Sequence, residues 1–271
     1  MTVAFVFQGG ASLSAAQVGM VRALSEAGIR PDLLVGSSAG ALNAVAYAQD
    51  PTERGLDAME RLWTGTRRSD VFPLRLSSLL AGVTGHGSGL ATPHRLLALI
   101  ERALRTEELG GAAIPVHVIA TDAATGAPVV LSAGPAAGAL LASTSIPGIL
   151  PPVVWQGRQL VDGSVSADIP ILQAEELGAT TSYVLPSVPV GTLQDHASGV
   201  LPILARTLTL VLDRATQRDL ATARGEVRIL PAPRMRGLNP LNFRHSAELI
   251  RLGYDNTRTW LDDRAVVPAA A

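Results

Sequence analysis

The sequence predicts a three-layer α/β/α sandwich built on a mostly parallel central sheet. Three observations carry this expectation. Within the first 48 residues, short apolar runs alternate with stretches of helical spacing, and strands that alternate with helices pair in parallel. Hydrophobic residues make up 47% of the chain and charged residues 17%, enough apolar surface for a large core and too little charge for disorder. No internal repeat or linker divides the 271 residues, so residues 1–264 read as one domain and 265–271 as a fraying tail.

The elements follow in order. Val3–Phe7 is an apolar run ending at Gly9-Gly10, a buried strand and its turn. Residues 15–27 are helical, with Val18, Val21 and Leu24 at three-residue spacing and Gly28 as the stop. Residues 32–35 form a second strand, and 39–48 an alanine-rich helix. Asp50-Pro51 opens a further helix, with Asp50 as N-cap and Leu56, Met59, Leu62 and Trp63 on one face. Residues 69–92, punctuated by Gly82, Gly85, Gly87 and Gly89, break the pattern and read as a flexible excursion or lid. A helix over 93–104 follows, with Thr92 as its cap. Residues 115–120 and Pro128–Leu131 are strands, 135–142 a short helix, and 147–152 a proline-stiffened loop. Residues 159–161 form a strand ending at Asp162-Gly163, and 170–177 a helix stopped by Gly178. Residues 182–185 and 227–230 are late strands; 200–223 and 246–261 are long helices.

Composition also excludes classes. The net charge is −1 with no block of like charge, which argues against nucleic acid as a partner. Cysteine is absent, so disulfides and thiolate chemistry are excluded. The first residues lack a positive n-region and a cleavage site, and no run of about 18 apolar residues occurs. The expected location is the cytoplasm, with any membrane contact peripheral. Composition is silent on oligomeric state.

Chemistry concentrates at Gly36-Ser37-Ser38-Ala39-Gly40. A Gly-x-Ser-x-Gly pattern has weight when a strand ends before it and a helix starts after it, as here. Gly36 and Gly40 let strand and helix approach, and Ser38 stands exposed at the positive end of a helix. The bland alternative is a serine-capped helix start. Gln8-Gly9-Gly10-Ala11-Ser12 is a second turn of small residues. It lacks the lysine of a Walker loop and the glycine spacing of a dinucleotide fingerprint, so a nucleotide-binding domain fits poorly. Beside a nucleophilic serine, its N–H groups would form an oxyanion hole, each worth about 3 kcal/mol. The rival is a tight turn with no ligand.

A nucleophilic serine needs a base. His117 lies in an apolar strand and reads as structural; His86, His94, His196 and His245 sit in no distinctive motif. A Ser-His-Asp α/β-hydrolase would carry its serine later in the chain. Asp162, at a strand end before Gly163-Ser164, lies where the rim of an open α/β sheet binds ligands. A lone aspartate acts as base when apolar walls raise its proton affinity. Asp162-Gly163 reads equally well as an ordinary turn.

Three segments resemble the patatin-like phospholipases, Ser-Asp dyad acyl hydrolases. Residues 7–20, from Phe7-Gln8-Gly9-Gly10-Ala11-Ser12, are similar to the family's glycine-rich motif and following helix. Residues 31–44, around Gly36-Ser37-Ser38-Ala39-Gly40, resemble its elbow. Residues 142–164, from Ala142-Ser143-Thr144-Ser145-Ile146-Pro147-Gly148 through Pro151-Pro152 to Val161-Asp162-Gly163-Ser164, resemble the block ending in its catalytic Asp-Gly. The resemblance implies Ser38 as nucleophile, Asp162 as base, the amides near Gly9, Gly10 and Ala11 as oxyanion hole, and a three-layer fold. It also implies an acyl-enzyme mechanism with neither metal nor organic cofactor. Ala11 and Ser14 stand where the family has glycine, Leu13 where many members have arginine, and Ser164 where glycine or alanine is usual.

The expected function is hydrolysis of an acyl ester or lipid. A catalytically silent lipid- or partner-binding relative is the alternative that Ala11 and Ser14 motivate. Leu79-Leu80 and Leu96-Leu97 are placed to line an acyl site, and Val200, Leu201, Ile203 and Leu204 to form an interfacial patch; ordinary core is the competing reading. Phospholipid, glycolipid, simple ester and thioester stay open.

Overall fold

The computed structural model describes residues 1–71, 93–190, 200–235 and 239–266. Five strands run parallel: β1 (Val3–Phe7), β2 (Leu33–Ser37), β3 (Val116–Asp122), β7 (Thr181–Leu185) and β8 (Glu226–Ile229). β4 (Pro128–Leu131) and β6 (Arg158–Asp162) pair antiparallel with β3, and β5 (Val153–Trp155) antiparallel with β6. The sheet order is β5-β6-β3-β2-β1-β7-β8, with β4 beside β3.

Alternation along the strands assigns the two helical layers. Phe5, Phe7, Leu34, Val118 and Tyr183 face one layer, formed by α1 (Ala16–Glu26), α2 (Ala39–Gln49), α3 (Glu53–Gly65), α5 (His94–Ala103), α6 (Ala136–Ser143) and α10 (Ser246–Val266); the short α4 (Arg68–Val71) adjoins it. Ala4, Val6, Val35, Ile119 and Val184 face the other, which holds α7 (Ser164–Ala167), α8 (Ile171–Glu176) and the end of α9 (Val200–Thr222). Both faces are covered, as the sequence predicts. Phe5, Phe7 and Leu34 are fully buried, and each such side chain contributes about 1.5–3 kcal/mol.

Several boundaries differ from expectation for local reasons. The first helix is preceded by a 3-10 turn over Ala11–Ala15. It ends as expected at Gly28, in the left-handed region, where Ile29 N–H reaches Leu24 O and Gly28 N–H reaches Ser25 O. Gly178 ends α8 in the same way. Thr52, rather than Asp50, caps α3: its hydroxyl accepts from Gly55 N–H, while the Asp50 carboxylate takes the Thr52 hydroxyl and pairs with Arg105. Strand β5 is absent from the sequence expectations. It pairs with β6 through a two-residue turn, Gln156-Gly157, both at positive φ, which suits the strand twist.

Helix α10 runs to Val266, past the expected end at 261 and into the first residues of the expected tail. Of the expected excursion, residues 69–71 belong to α4; 72–92, with Leu79, Leu80, His86 and Thr92, lie outside the described residues, as does His196. Among the described residues no helix is long and apolar enough to cross a membrane.

The sheet register positions the site. One edge of β3 pairs with β2 up to Ile119, opposite Ser37. β2 then leaves the sheet at Ser38, and β6 takes over that edge with Asp162 opposite Ala120. Two segments more than a hundred residues apart in sequence thus meet end to end on one edge of one strand.

Candidate active site

Ser38 sits between β2 and α2 at φ 52°, ψ −128°, a conformation that costs a non-glycine residue about 1–3 kcal/mol. The packing enforces it. A Cβ on Gly36 would lie 2.7 Å from Gly40 O, and one on Gly40 2.5 Å from Gln8 O. Only bare backbone fits at these crossings. Ser143 holds the turn from below: its hydroxyl accepts from Ser38 N–H at 2.9 Å and donates to Ile119 O at 2.5 Å.

The Ser38 hydroxyl donates to Asp162 Oδ2 at 2.7 Å. Asp162 Oδ1 accepts from Ser164 N–H at 2.9 Å. Gly163 lies against β3, where any Cβ would overlap Ile119 O, and its N–H donates to Ser143 O. Asp162 is 4% exposed, and this burial pushes its pKa up to about 7; Asp168 reinforces the rise, while the bonds from Ser38 and Ser164 oppose it. The sequence places Asp162 at the rim of a parallel sheet. The rim is right, but the strand that delivers it is antiparallel to β3.

The glycine-rich turn passes beside Ser38. Gly9 N–H donates to Asp168 O at 3.2 Å, so this amide is engaged. Among the described residues, no protein acceptor receives the Gly10 or Ala11 N–H. Ala11 itself is left-handed at φ 49°. Behind the turn lies a polar network absent from the sequence expectations. Gln8 donates to Asp168 Oδ2 and accepts from Ser187 N–H. Gln17 donates to Gln8 O and accepts from Asn43, whose oxygen accepts from the Trp63 indole. Burial also raises the Asp168 pKa, against the bond from Gln8. Only the tertiary fold gathers these residues; the weak signal in sequence is an amide residue, Gln8, between a buried strand and the glycines.

From Ser38 an apolar cleft runs between α2, α3, α5 and the loop that follows α6. Leu42, Leu62, Leu96, Ile100, Ile146 and Phe243 line it, with Ala11 and Ser38 among its lining residues. Of the expected pair Leu96-Leu97, Leu96 lines this cleft and Leu97 is not among its lining residues. Among the described residues, no histidine hydrogen-bonds Ser38 or Asp162. His117 Nδ1 meets the Ser132 hydroxyl at 2.7 Å, and burial lowers its pKa; His245 lies beside Glu248. Of the expected interfacial patch on α9, Ile203 is exposed, and the side chains of Val200, Leu201 and Leu204 lie outside the described ones.

A polarised hydroxyl, a neighbouring carboxylate of raised proton affinity, two amides without acceptors and an apolar cleft can together support attack on an acyl carbonyl.

Comparison with known proteins gives relatives of the same kind. The chain is 27% identical over 198 residues to a putative patatin-like phospholipase domain-containing protein of Caenorhabditis elegans, covering 72% of this chain and 17% of that one. It is 26% identical over 195 residues to lysophospholipase nte1 of Aspergillus terreus, covering 72% and 12%. The chain thus matches less than a fifth of these relatives' length. VipD of Legionella pneumophila superposes with a TM-score of 0.49 at 12% identity, over 97% of this chain and 66% of that one. The family model for patatin-like phospholipase matches residues 5–175, more than half of the chain. By that match, the chain belongs to the patatin-like phospholipase family.

Proposed function

We propose that this protein hydrolyses acyl esters of lipids through a Ser38–Asp162 dyad and an acyl-enzyme intermediate. The observation that carries the reading is the 2.7 Å bond from the Ser38 hydroxyl to Asp162 at the lining of an apolar cleft. Asp162 takes the hydroxyl proton as Ser38 Oγ attacks the carbonyl carbon. The negative charge that develops on the carbonyl oxygen meets the amides of Gly10 and Ala11. Collapse expels the alcohol, which takes the proton back from Asp162. Water then repeats the sequence, losing a proton to Asp162, and Ser38 recovers its own as the fatty acid leaves. A base with a pKa of about 7 both accepts and returns a proton near neutral pH. The apolar cleft supports an acyl chain as the bound group, and the lysophospholipase name of a relative supports a lipid ester.

The test is mutational. Ser38→Ala and Asp162→Asn should each lower ester turnover by at least a thousandfold, and a fluorophosphonate should label the wild type at Ser38. Turnover retained by Ser38→Ala refutes the reading. Absent labelling of the folded wild type favours the silent relative, which the left-handed Ala11 beside Ser38 motivates.

A further inference from the structure

Beside the apolar cleft lies a second, open one of the opposite character. Arg67, Arg68 and Arg244 line it, together with Ser69, Asn239 and Asn242, and no carboxylate is among its lining residues. None of the three guanidinium groups has a carboxylate partner among the described residues. The nearest acid in sequence, Asp70, is turned onto the Arg67 N–H and the Ser69 hydroxyl. Three cations without a carboxylate partner among the described residues share one cleft, in a chain of net charge −1.

Two observations tie this cleft to the reacting centre. Thr66 and Phe243 line both clefts, so they form a shared wall. The loop carrying Asn239 is bonded to the glycine-rich turn, since Ser12 N–H donates to Pro240 O at 3.0 Å. A ligand with its carbonyl at Ser38 and its acyl chain among Leu62, Leu96 and Phe243 would therefore have a polar, cationic neighbour close at hand.

We infer that the Arg67–Arg68–Arg244 cleft is a phosphate subsite that receives the headgroup of a glycerophospholipid substrate, beside the acyl cleft. This rests on the acyl-hydrolase reading and narrows it to substrates that carry a phosphate beside the ester. Guanidinium groups suit this task because they bind phosphate oxygens in pairs and stay charged at every working pH. The Asn239 and Asn242 amide groups add neutral donors. A neutral glyceride or simple ester would leave the three cations unused.

The experiment compares two substrates with the same acyl group, 1-palmitoyl-lysophosphatidic acid and 1-palmitoylglycerol, in the full chain. Replacing Arg67, Arg68 or Arg244 singly by Gln should raise KM for the phosphorylated substrate about fivefold each, as expected for solvent-accessible charge contacts. The triple variant should lose more than fiftyfold, with turnover of 1-palmitoylglycerol unchanged. Added salt should raise the wild-type KM for the phosphorylated substrate and not that of the triple variant. In parallel, calorimetry should show glycerol 3-phosphate binding to wild type and not to the triple variant. Equal losses on both substrates, or no loss on either, overturn the inference. Inorganic phosphate that binds as tightly as glycerol 3-phosphate, with KM unmoved, marks a free-phosphate site and overturns the headgroup assignment. If the wild type hydrolyses no ester but glycerol 3-phosphate binding still depends on the arginines, the acyl-hydrolase reading fails and the anion site stands.

Discussion

Asp162 makes the protein less stable as its carboxylate ionises, and the size of that effect follows from its burial. In an unfolded chain its pKa is near 3.8; in the fold it is about 7. Between those values the native state holds a proton that the unfolded state has lost, so native stability falls as pH rises through that window and is level above it. From pH 5 to pH 8 the accumulated difference is about two pK units, or roughly 3 kcal/mol. Asp162→Asn does not titrate. Its side chain is nearly the same size, and the Ser38 hydroxyl can turn to accept from the amide, so one hydrogen bond survives in either state. The variant should therefore gain on the wild type by about 3 kcal/mol between pH 5 and pH 8, whatever its offset at pH 5. For a chain of 271 residues, with roughly 2.1 cal/mol/K per residue, this is about 5 °C in Tm. Urea unfolding at pH 5, 6, 7 and 8 measures the gap. Asp168 titrates in both proteins and largely cancels. A gap constant within about 1 kcal/mol across the series refutes the claim that buried Asp162 carries an elevated pKa.

On the proposed dyad mechanism, the same pKa gives kcat/KM a rise of tenfold per unit below about pH 7 and a plateau above it, since Asp162 must be ionised to take the Ser38 proton; a flat profile down to pH 5 contradicts this. Ala11→Gly relieves a left-handed alanine and should stabilise the fold by about 1 kcal/mol, read from urea midpoints; no gain means that the turn is not strained. Gly40→Ala forces a Cβ against Gln8 O and Phe7 O and should cost more than about 2 kcal/mol by the same measurement. Ser143→Ala removes the support under Ser38 and should lower kcat more than it raises KM, with about 1–3 kcal/mol of stability lost; an unchanged kcat refutes the positioning role.

Much of the site was legible because it is made of local constraints. The turn at Ser38 needs Gly36 before it and Gly40 after it, and both are written within five residues. The glycine-rich turn is legible as a segment but not amide by amide. Gly9 N–H is taken by Asp168 O, a partner 159 positions away that no spacing announces. Asp168, only six residues past Asp162, carries no local signal in the sequence; burial and Gln8 give it its place in the network. Strand β5 was missed because Val153–Trp155 is three residues long and depends on its pairing with β6. Asp50-Pro51 has the pattern of a helix start, yet Thr52 caps the helix because the Asp50 carboxylate is held by Arg105 and the Thr52 hydroxyl.

The sequence alone determined the alternation of strands and helices and the two small-residue turns, since each follows from backbone sterics and apolar periodicity within a few residues; the pairing of Ser38 with Asp162 came from the family resemblance, because spacing alone reads Asp162-Gly163 equally well as a turn. The tertiary structure decided that Ser38 and Asp162 share one edge of β3, which amides stay without acceptors, and that an apolar and a cationic cleft lie side by side. Those outcomes depend on register and burial between segments distant in the chain. Pairwise distance and desolvation exist only once the sheet has closed around them.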